Sequence, residues 1–418
     1  MSDVGGIEIG GGILEYVVEK LRDLISIPTV NPPGRDYERC AKYLSNELEE
    51  LGFDVNLIEI PEEYLDVYYP YRPQHRGFKR YIVLGRMGSG KPILHLNGHY
   101  DVVPEGSGWK HSPFNPILEN GRLYGRGSTD MKGGIASMLG AFKVLAESSK
   151  FLRGTLEVSF VPDEESGGVG ARYLAENGFV KPDYVVIGEG TTSKRIIIGH
   201  KGMVRGIVKV MGKQVHGSIP WFGDNAFLKA SLLAQKFIQL YEPILYGRRT
   251  KYPTKRPEEV HPSINLGGYA ESTSRKDNTV PGEFIFSFDR RVIPEEDIEH
   301  VVEELKEYFD IAAGDEVRYE LEVLSAVEPS VTDPSSKIVS IASEIGFEVS
   351  GVRPRLELSP GRNDAVFFTN IAGSEAINYG PGVEFTAHTP DEYTTLEELE
   401  RFVQIYYGII EKILVNPQ

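Results

Sequence analysis

The chain has 418 residues, enough for two or more domains that each bury a core. Hydrophobic residues at 40% and charged residues at 25% are ordinary globular usage, which excludes a wholly disordered chain. With 45 Lys and Arg against 61 Asp and Glu, the net charge of -16 repels phosphate backbones and argues against nucleic acid as a partner. The single cysteine, Cys40, permits no intrachain disulfide and suits a reducing compartment. No apolar run approaches the ~18 residues of a membrane helix, and the acidic, glycine-rich start lacks a basic, apolar leader. The expectation is a cytoplasmic chain with no membrane partner.

In chain order, helical spacing of apolar residues predicts helices over 13–27 and 36–51, the second stopped by Gly52. Residues 64–80 are rich in Tyr and Arg and fit no element, so they read as a loop. Short apolar runs predict strands at 81–84, 93–96, 155–161 and 184–187, with helices at 132–147 and 168–177 among them. That alternation is an α/β pattern: a mixed, mostly parallel sheet flanked by helices. The order then changes to a strand over 201–211, a helix over 225–241, strands at 262–269 and 283–290, a helix over 295–309 and a strand at 316–324. This β-α-β-β-α-β order is the ferredoxin-like split unit. The α/β pattern resumes with helices near 335–345 and 363–371, a strand at 374–378 and a helix over 396–414. The expected organisation is one domain of 1–199 and 315–418, interrupted by a smaller α+β domain of 200–314.

Two glycine motifs lead nowhere. Gly85, Gly90 and Lys91 nearly make a phosphate-binding loop, but Pro92 removes the hydroxyl and a backbone donor. Gly168 and Gly170 lack the third glycine of a dinucleotide fingerprint, since Tyr173 stands there.

Five other segments place acids and imidazoles at strand ends or helix starts. The strand at 93–96 runs into His99 and Asp101, which alternation sends to one side, as a ligand and its orienting carboxylate would be. Asp130 sits among glycines and hydroxyls before a helix, where a helix cap is the ordinary reading. Asp163, Glu164 and Glu165 follow a strand directly, and three adjacent acids repel unless cations neutralise them. Glu189 closes another strand, and His388 precedes the last helix. Each signal is weak alone. Open α/β sheets gather ligands outside the carboxyl ends of their strands, and two imidazoles with several carboxylates there suit borderline divalent metals.

Together the phrases GHYDVVP (98–104), GRGSTDMKGG (125–134), DEESGG (163–168), GEGT (188–191) and AHTPDE (387–392) make the sequence resemble the acetylornithine deacetylase, succinyl-diaminopimelate desuccinylase, aminoacylase and glutamate carboxypeptidase family of co-catalytic zinc hydrolases. The resemblance implies two divalent metal ions, zinc with cobalt or manganese as alternatives. It implies His99, Asp130 and Glu189 as ligands of one, and Asp130, Glu165 and His388 as ligands of the other. Glu164 would be the general base for a metal-bridging water, Asp101 would orient His99, and the Asp130–Met131 peptide would be cis. In the inserted lid and dimerisation domain, 214–218 resembles the segment whose His, here His216, stabilises the oxyanion. Asn278 and an Arg would hold the substrate carboxylate. Of Arg290 and Arg291, which alternation sends to opposite faces, the family pattern favours Arg290. Gly361 falls in the pocket loop, where Arg362 is an unusual residue, and Gly190 replaces a common proline. The implied reaction is removal of an acyl group from an N-acyl amino acid, as in amino-acid biosynthesis, by a homodimer. A dipeptidase or carboxypeptidase acting on short peptides is the alternative, and a non-catalytic metal-binding relative a remoter one.

Overall fold

The computed structural model describes residues 11–148 and 150–416; the glycine-rich start, residues 1–10, lies outside them. Its main elements are α1 (Gly11–Ile25), α2 (Tyr37–Glu50), β1 (Asp54–Glu59), α3 (Glu62–Tyr68), β2 (Tyr81–Gly88), β3 (Ile93–His99), α4 (Lys132–Glu147), β4 (Thr155–Val161), α5 (Val169–Glu176), β5 (Tyr184–Gly190), β6 (Arg195–His200), β7 (Gly202–Met211), α6 (Ala226–Gly247), β8 (Ser263–Ser272), β9 (Glu283–Val292), α7 (Ile298–Ala313), β10 (Tyr319–Val327), α8 (Lys337–Ser350), β11 (Glu375–Gly380) and α9 (Leu396–Ile410). Among the described residues, no helix is long and apolar enough to cross a membrane.

The chain divides into two compact units. The first comprises the described residues up to Gly199, Thr332–Glu357 and those from Asn363 onward. Its mixed sheet runs β1-β2-β4-β3-β5-β11-β6. The pairs β4/β3, β3/β5 and β5/β11 are parallel, while β1/β2, β2/β4 and β11/β6 are antiparallel. The central strands are apolar because both their faces are covered: β4 is buried at every position. The order places β4 on one side of β3 and β5 on the other, so β3 is a switch point, and in open α/β sheets ligands gather outside the carboxyl end of such a strand. That end is His99.

The second unit, His200–Val331 with Leu358–Arg362, has the β-α-β-β-α-β order and the antiparallel sheet β8-β9-β7-β10 of a ferredoxin-like fold. Its core joins Val204, Val208, Phe286 and Phe288 to Phe237 and Phe309 of the helices, with the last two rings stacked at 3.8 Å.

Three expectations need correction. The inserted unit extends to Val331 rather than 314, because β10 pairs with β7. Residues 64–80 are not all loop, since α3 covers Glu62–Tyr68. The helix expected over 363–371 is shorter at its start, and its residues Phe367–Ile371 are π-helical.

Candidate metal centre

Each residue of the centre is delivered by an element of the first unit. His99 ends β3, and Glu189 lies near the end of β5. Asp130 precedes α4 without capping it, and its peptide bond to Met131 is cis. Glycine lets these backbones meet. An ideal Cβ on Gly134 would lie 2.2 Å from Gly188 O, and one on Gly190 would lie 2.8 Å from Thr129 O. At 190, where the resemblance expects a proline, a side-chain carbon would press on Thr129 in this chain. Glu164 and Glu165 occupy a tight turn after β4, entered through Asp163 at φ 65°. His388 sits in the loop before α9 at φ 62°, a region that His enters more readily than most residues.

The structure brings five of these side chains into two clusters that share one residue. His99, Asp130 and Glu189 offer ligand atoms within 4.8 Å of one another, and so do Asp130, Glu165 and His388. Asp130 divides its carboxylate between them. Its Oδ1 is 3.1 Å from His99 Nε2, and its Oδ2 is 3.2 Å from His388 Nε2. Glu189 Oε1 is 3.6 Å from His99 Nε2, and Glu165 Oε1 is 2.8 Å from His388 Nε2.

The electrostatics are those of crowded carboxylates. Burial pushes Glu165 up to about 8, and the Asp130 charge adds to it. Burial and the same charge push Glu189 well above the usual carboxylate range. Burial also opposes ionisation of Asp130, but hydrogen bonds from His388 and His99 outweigh it and hold its carboxyl below that range. His388 is raised to about 11, chiefly by its hydrogen bonds to Asp130 and Glu165. Such a group repels itself unless positive charge enters. Two imidazoles and three carboxylates, one presenting an oxygen to each side, fit a pair of divalent cations by donor chemistry.

Asp101 has a different arrangement from the one expected. The nearer acceptor for His99 Nδ1 is the Asp101 main-chain carbonyl at 3.1 Å, with the carboxylate Oδ1 at 3.5 Å. The carboxylate instead accepts the backbone N–H groups of Glu164 and Glu165, each at 3.2 Å. It therefore holds the acidic turn beside His99.

Glu392 is a supporting residue that the sequence reading did not single out. Its Oε1 accepts the N–H groups of Gly127, Thr129 and Asp130 at 3.0–3.1 Å, and its Oε2 pairs with Arg126 at 2.6 Å. Both side chains are buried. Glu392→Ala would strand the guanidinium and free three backbone donors. It is expected to cost about 3–5 kcal/mol in urea denaturation, whereas an exposed acid such as Glu49 should cost under about 0.5 kcal/mol.

The remaining predicted residues lie in the second unit. His216 is exposed, on a short ribbon that pairs it with Thr279, and Gly217 N donates to Asn278 O at 2.7 Å, so His216 and Asn278 are neighbours. Arg290 is a correction. It shares a face of β9 with Phe286, Phe288 and Val292, all buried under the helices. There its guanidinium is consumed by Tyr241 Oη, Glu296 and the Arg291 carbonyl. Alternation puts Arg291 on the other face, a quarter exposed, paired with Asp289 at 2.8 Å and reaching Pro360 O at 3.4 Å. Pro360 adjoins Gly361, whose N–H donates to Ser359 Oγ at 3.1 Å.

A family model described as peptidase family M20/M25/M40 matches residues 95–412. The chain is 27% identical over 404 residues to a succinyl-diaminopimelate desuccinylase of a Nitratiruptor species, covering 94% of this chain and 99% of that protein. It is 30% identical over 431 residues to an uncharacterized metallohydrolase of Methanocaldococcus jannaschii, covering 96% and 100%. Its fold matches the crystal structure of an M20 family metallo-carboxypeptidase from Sulfolobus solfataricus with a TM-score of 0.72, at 21% identity and covering 94% and 98% of the two chains.

Proposed function

The chain belongs to peptidase family M20/M25/M40 and is a metallohydrolase; from that premise we propose that it hydrolyses an amide beside a carboxylate, removing the acyl group from an N-acyl amino acid. The observation that carries the reading is Asp130, with one carboxylate oxygen against each histidine. His99, Asp130 and Glu189 would hold one divalent ion, and Asp130, Glu165 and His388 a second, with zinc the first metal to test and cobalt and manganese next. Bound there, the ions supply Lewis-acid polarisation of the scissile carbonyl and bring the pKa of a water towards about 7.

The chain's own groups do the rest. Glu164 belongs to neither ligand cluster and is half-buried, with its N–H fixed by Asp101. It takes the proton of the attacking water and returns it to the leaving amine. His216 donates a hydrogen bond to the developing oxyanion, a role that rests on the resemblance of 214–218 alone. His216→Ala is expected to lower kcat about 10²–10³-fold with bound zinc unchanged; loss of zinc as well would contradict the assignment.

Arg291, not Arg290, is the cation available to a substrate carboxylate. Arg291→Met should raise KM about 10–100-fold with little change in stability. Arg290→Met should leave KM alone and cost about 3 kcal/mol in urea denaturation.

Removal of an acyl group is favoured by the likeness to a desuccinylase over nearly the whole chain. The second reading, cleavage of a dipeptide or a C-terminal residue, is favoured by the fold shared with a metallo-carboxypeptidase. A panel of N-acetyl and N-succinyl amino acids and dipeptides, assayed with added Zn²⁺ or Co²⁺, tests both. Turnover of the acylated substrates alone supports the first reading, and turnover of the dipeptides alone the second.

A further inference from the structure

The Tyr- and Arg-rich segment 64–80 plays no part in the centre as described so far. Two of its side chains, Tyr69 and Arg80, are nevertheless fully buried. The Arg80 guanidinium donates to the carbonyls of His75, Phe78 and Pro33 and, through Nε, to Asp163 Oδ2 at 3.1 Å. It lies over the rings of Tyr37 and Tyr69, at 5.3 and 4.9 Å. Asp163 opens the turn that carries Glu164 and Glu165, and its other oxygen accepts from Tyr37 Oη and Asn31 Nδ2, at 3.0 and 3.2 Å.

Asn31 joins these groups. Its Nδ2 also donates to Asp101 Oδ2 at 2.9 Å, and its Oδ1 accepts from Tyr69 Oη and Ser166 Oγ, each at 2.7 Å. Both protons and both lone pairs of the amide are used, so it has one orientation only. The carboxylates of Asp101 and Asp163 and the hydroxyl of Ser166, which pin the turn from both ends, all meet Asn31. Asp101 and Asp163 are both buried, and Arg80 supplies the guanidinium that compensates Asp163.

We propose that Arg80 and Tyr69, brought in by the segment after α3, are positioning residues that set the orientation of Glu164 and Glu165 through Asp163 and Asn31. The inference rests on the metallohydrolase reading, with Glu164 as base and Glu165 as ligand.

The test uses the full chain with Tyr69→Phe and, separately, Arg80→Lys, each made metal-free and titrated with Co²⁺. Melting temperature, Co²⁺ affinity, the d–d absorption bands, and kcat and KM on the best substrate of the panel are read. For Tyr69→Phe the melting temperature should stay within about 4 °C of wild type. One of two Co²⁺ ions should bind about 10-fold more weakly with altered d–d bands, and kcat should fall about 10–100-fold with KM within about 2-fold. Arg80→Lys should change the same readouts further; should it fail to fold, Tyr69→Phe decides alone. A wild type that binds two ions, with a Tyr69→Phe variant that matches it in affinity, bands and kcat, overturns this inference only. A wild type that takes up no Co²⁺ overturns the proposed function along with it.

Discussion

Glu164→Gln is expected to lower kcat about 10²–10⁴-fold while the chain keeps its full complement of divalent ions. Glutamine has the volume of glutamate and keeps an acceptor oxygen, but it cannot take a proton at neutral pH. Glu164 contributes no atom to either ligand cluster, so the clusters survive the exchange. The backbone N–H that Asp101 holds is also untouched, so the acidic turn keeps its shape. Turnover with metal content measured on the same sample checks this. Near wild-type kcat would remove Glu164 as the base; loss of metal would mean that it is a ligand.

Asp130→Ala should be more severe, because Asp130 is the one residue common to both clusters. Removing it takes a ligand from each site at once and leaves Glu189 and Glu165 facing each other with less positive charge between them. Affinity for both ions is expected to fall by at least ~100-fold, more than the 10–100-fold typical of an outer partner, and activity should vanish with them. His388→Ala should weaken one ion only. Titration of metal-free protein with Zn²⁺ separates the two outcomes; loss of a single ion in Asp130→Ala would mean that the carboxylate is not shared.

The α/β alternation and the β-α-β-β-α-β insertion were legible in the sequence because both depend on apolar periodicity, which these strands and helices carry strongly. Chemistry at strand ends was legible for a similar reason: His99, Glu165 and Glu189 follow or close apolar runs that end at one edge of a parallel sheet. That His388, hundreds of residues away, joins them is a matter of tertiary structure; the residues alone marked it as a histidine before the last helix, and the resemblance gave it its place in a ligand set. Strand β1 escaped notice because it is an edge strand, largely exposed, with no alternation to read. The choice between Arg290 and Arg291 depended on which face of β9 the helices cover, and a buried arginine on the core face runs against the usual pattern. The parity of Phe286, Phe288 and Val292 could have decided it. The boundary at 314 cut the unit before the last strand of its own β-α-β-β-α-β order, the one predicted at 316–324, and the pairing of β10 with β7 returns that strand to it. Glu392 and Arg80 act through buried hydrogen bonds to residues far along the chain, which spacing alone cannot show.

The most direct test of the central claim is anomalous diffraction from crystals grown with Zn²⁺. Two peaks are predicted, one among His99, Asp130 and Glu189 and one among Asp130, Glu165 and His388, with Asp130 touching both. A single peak, or ions bound elsewhere with Asp130 bare, would contradict it.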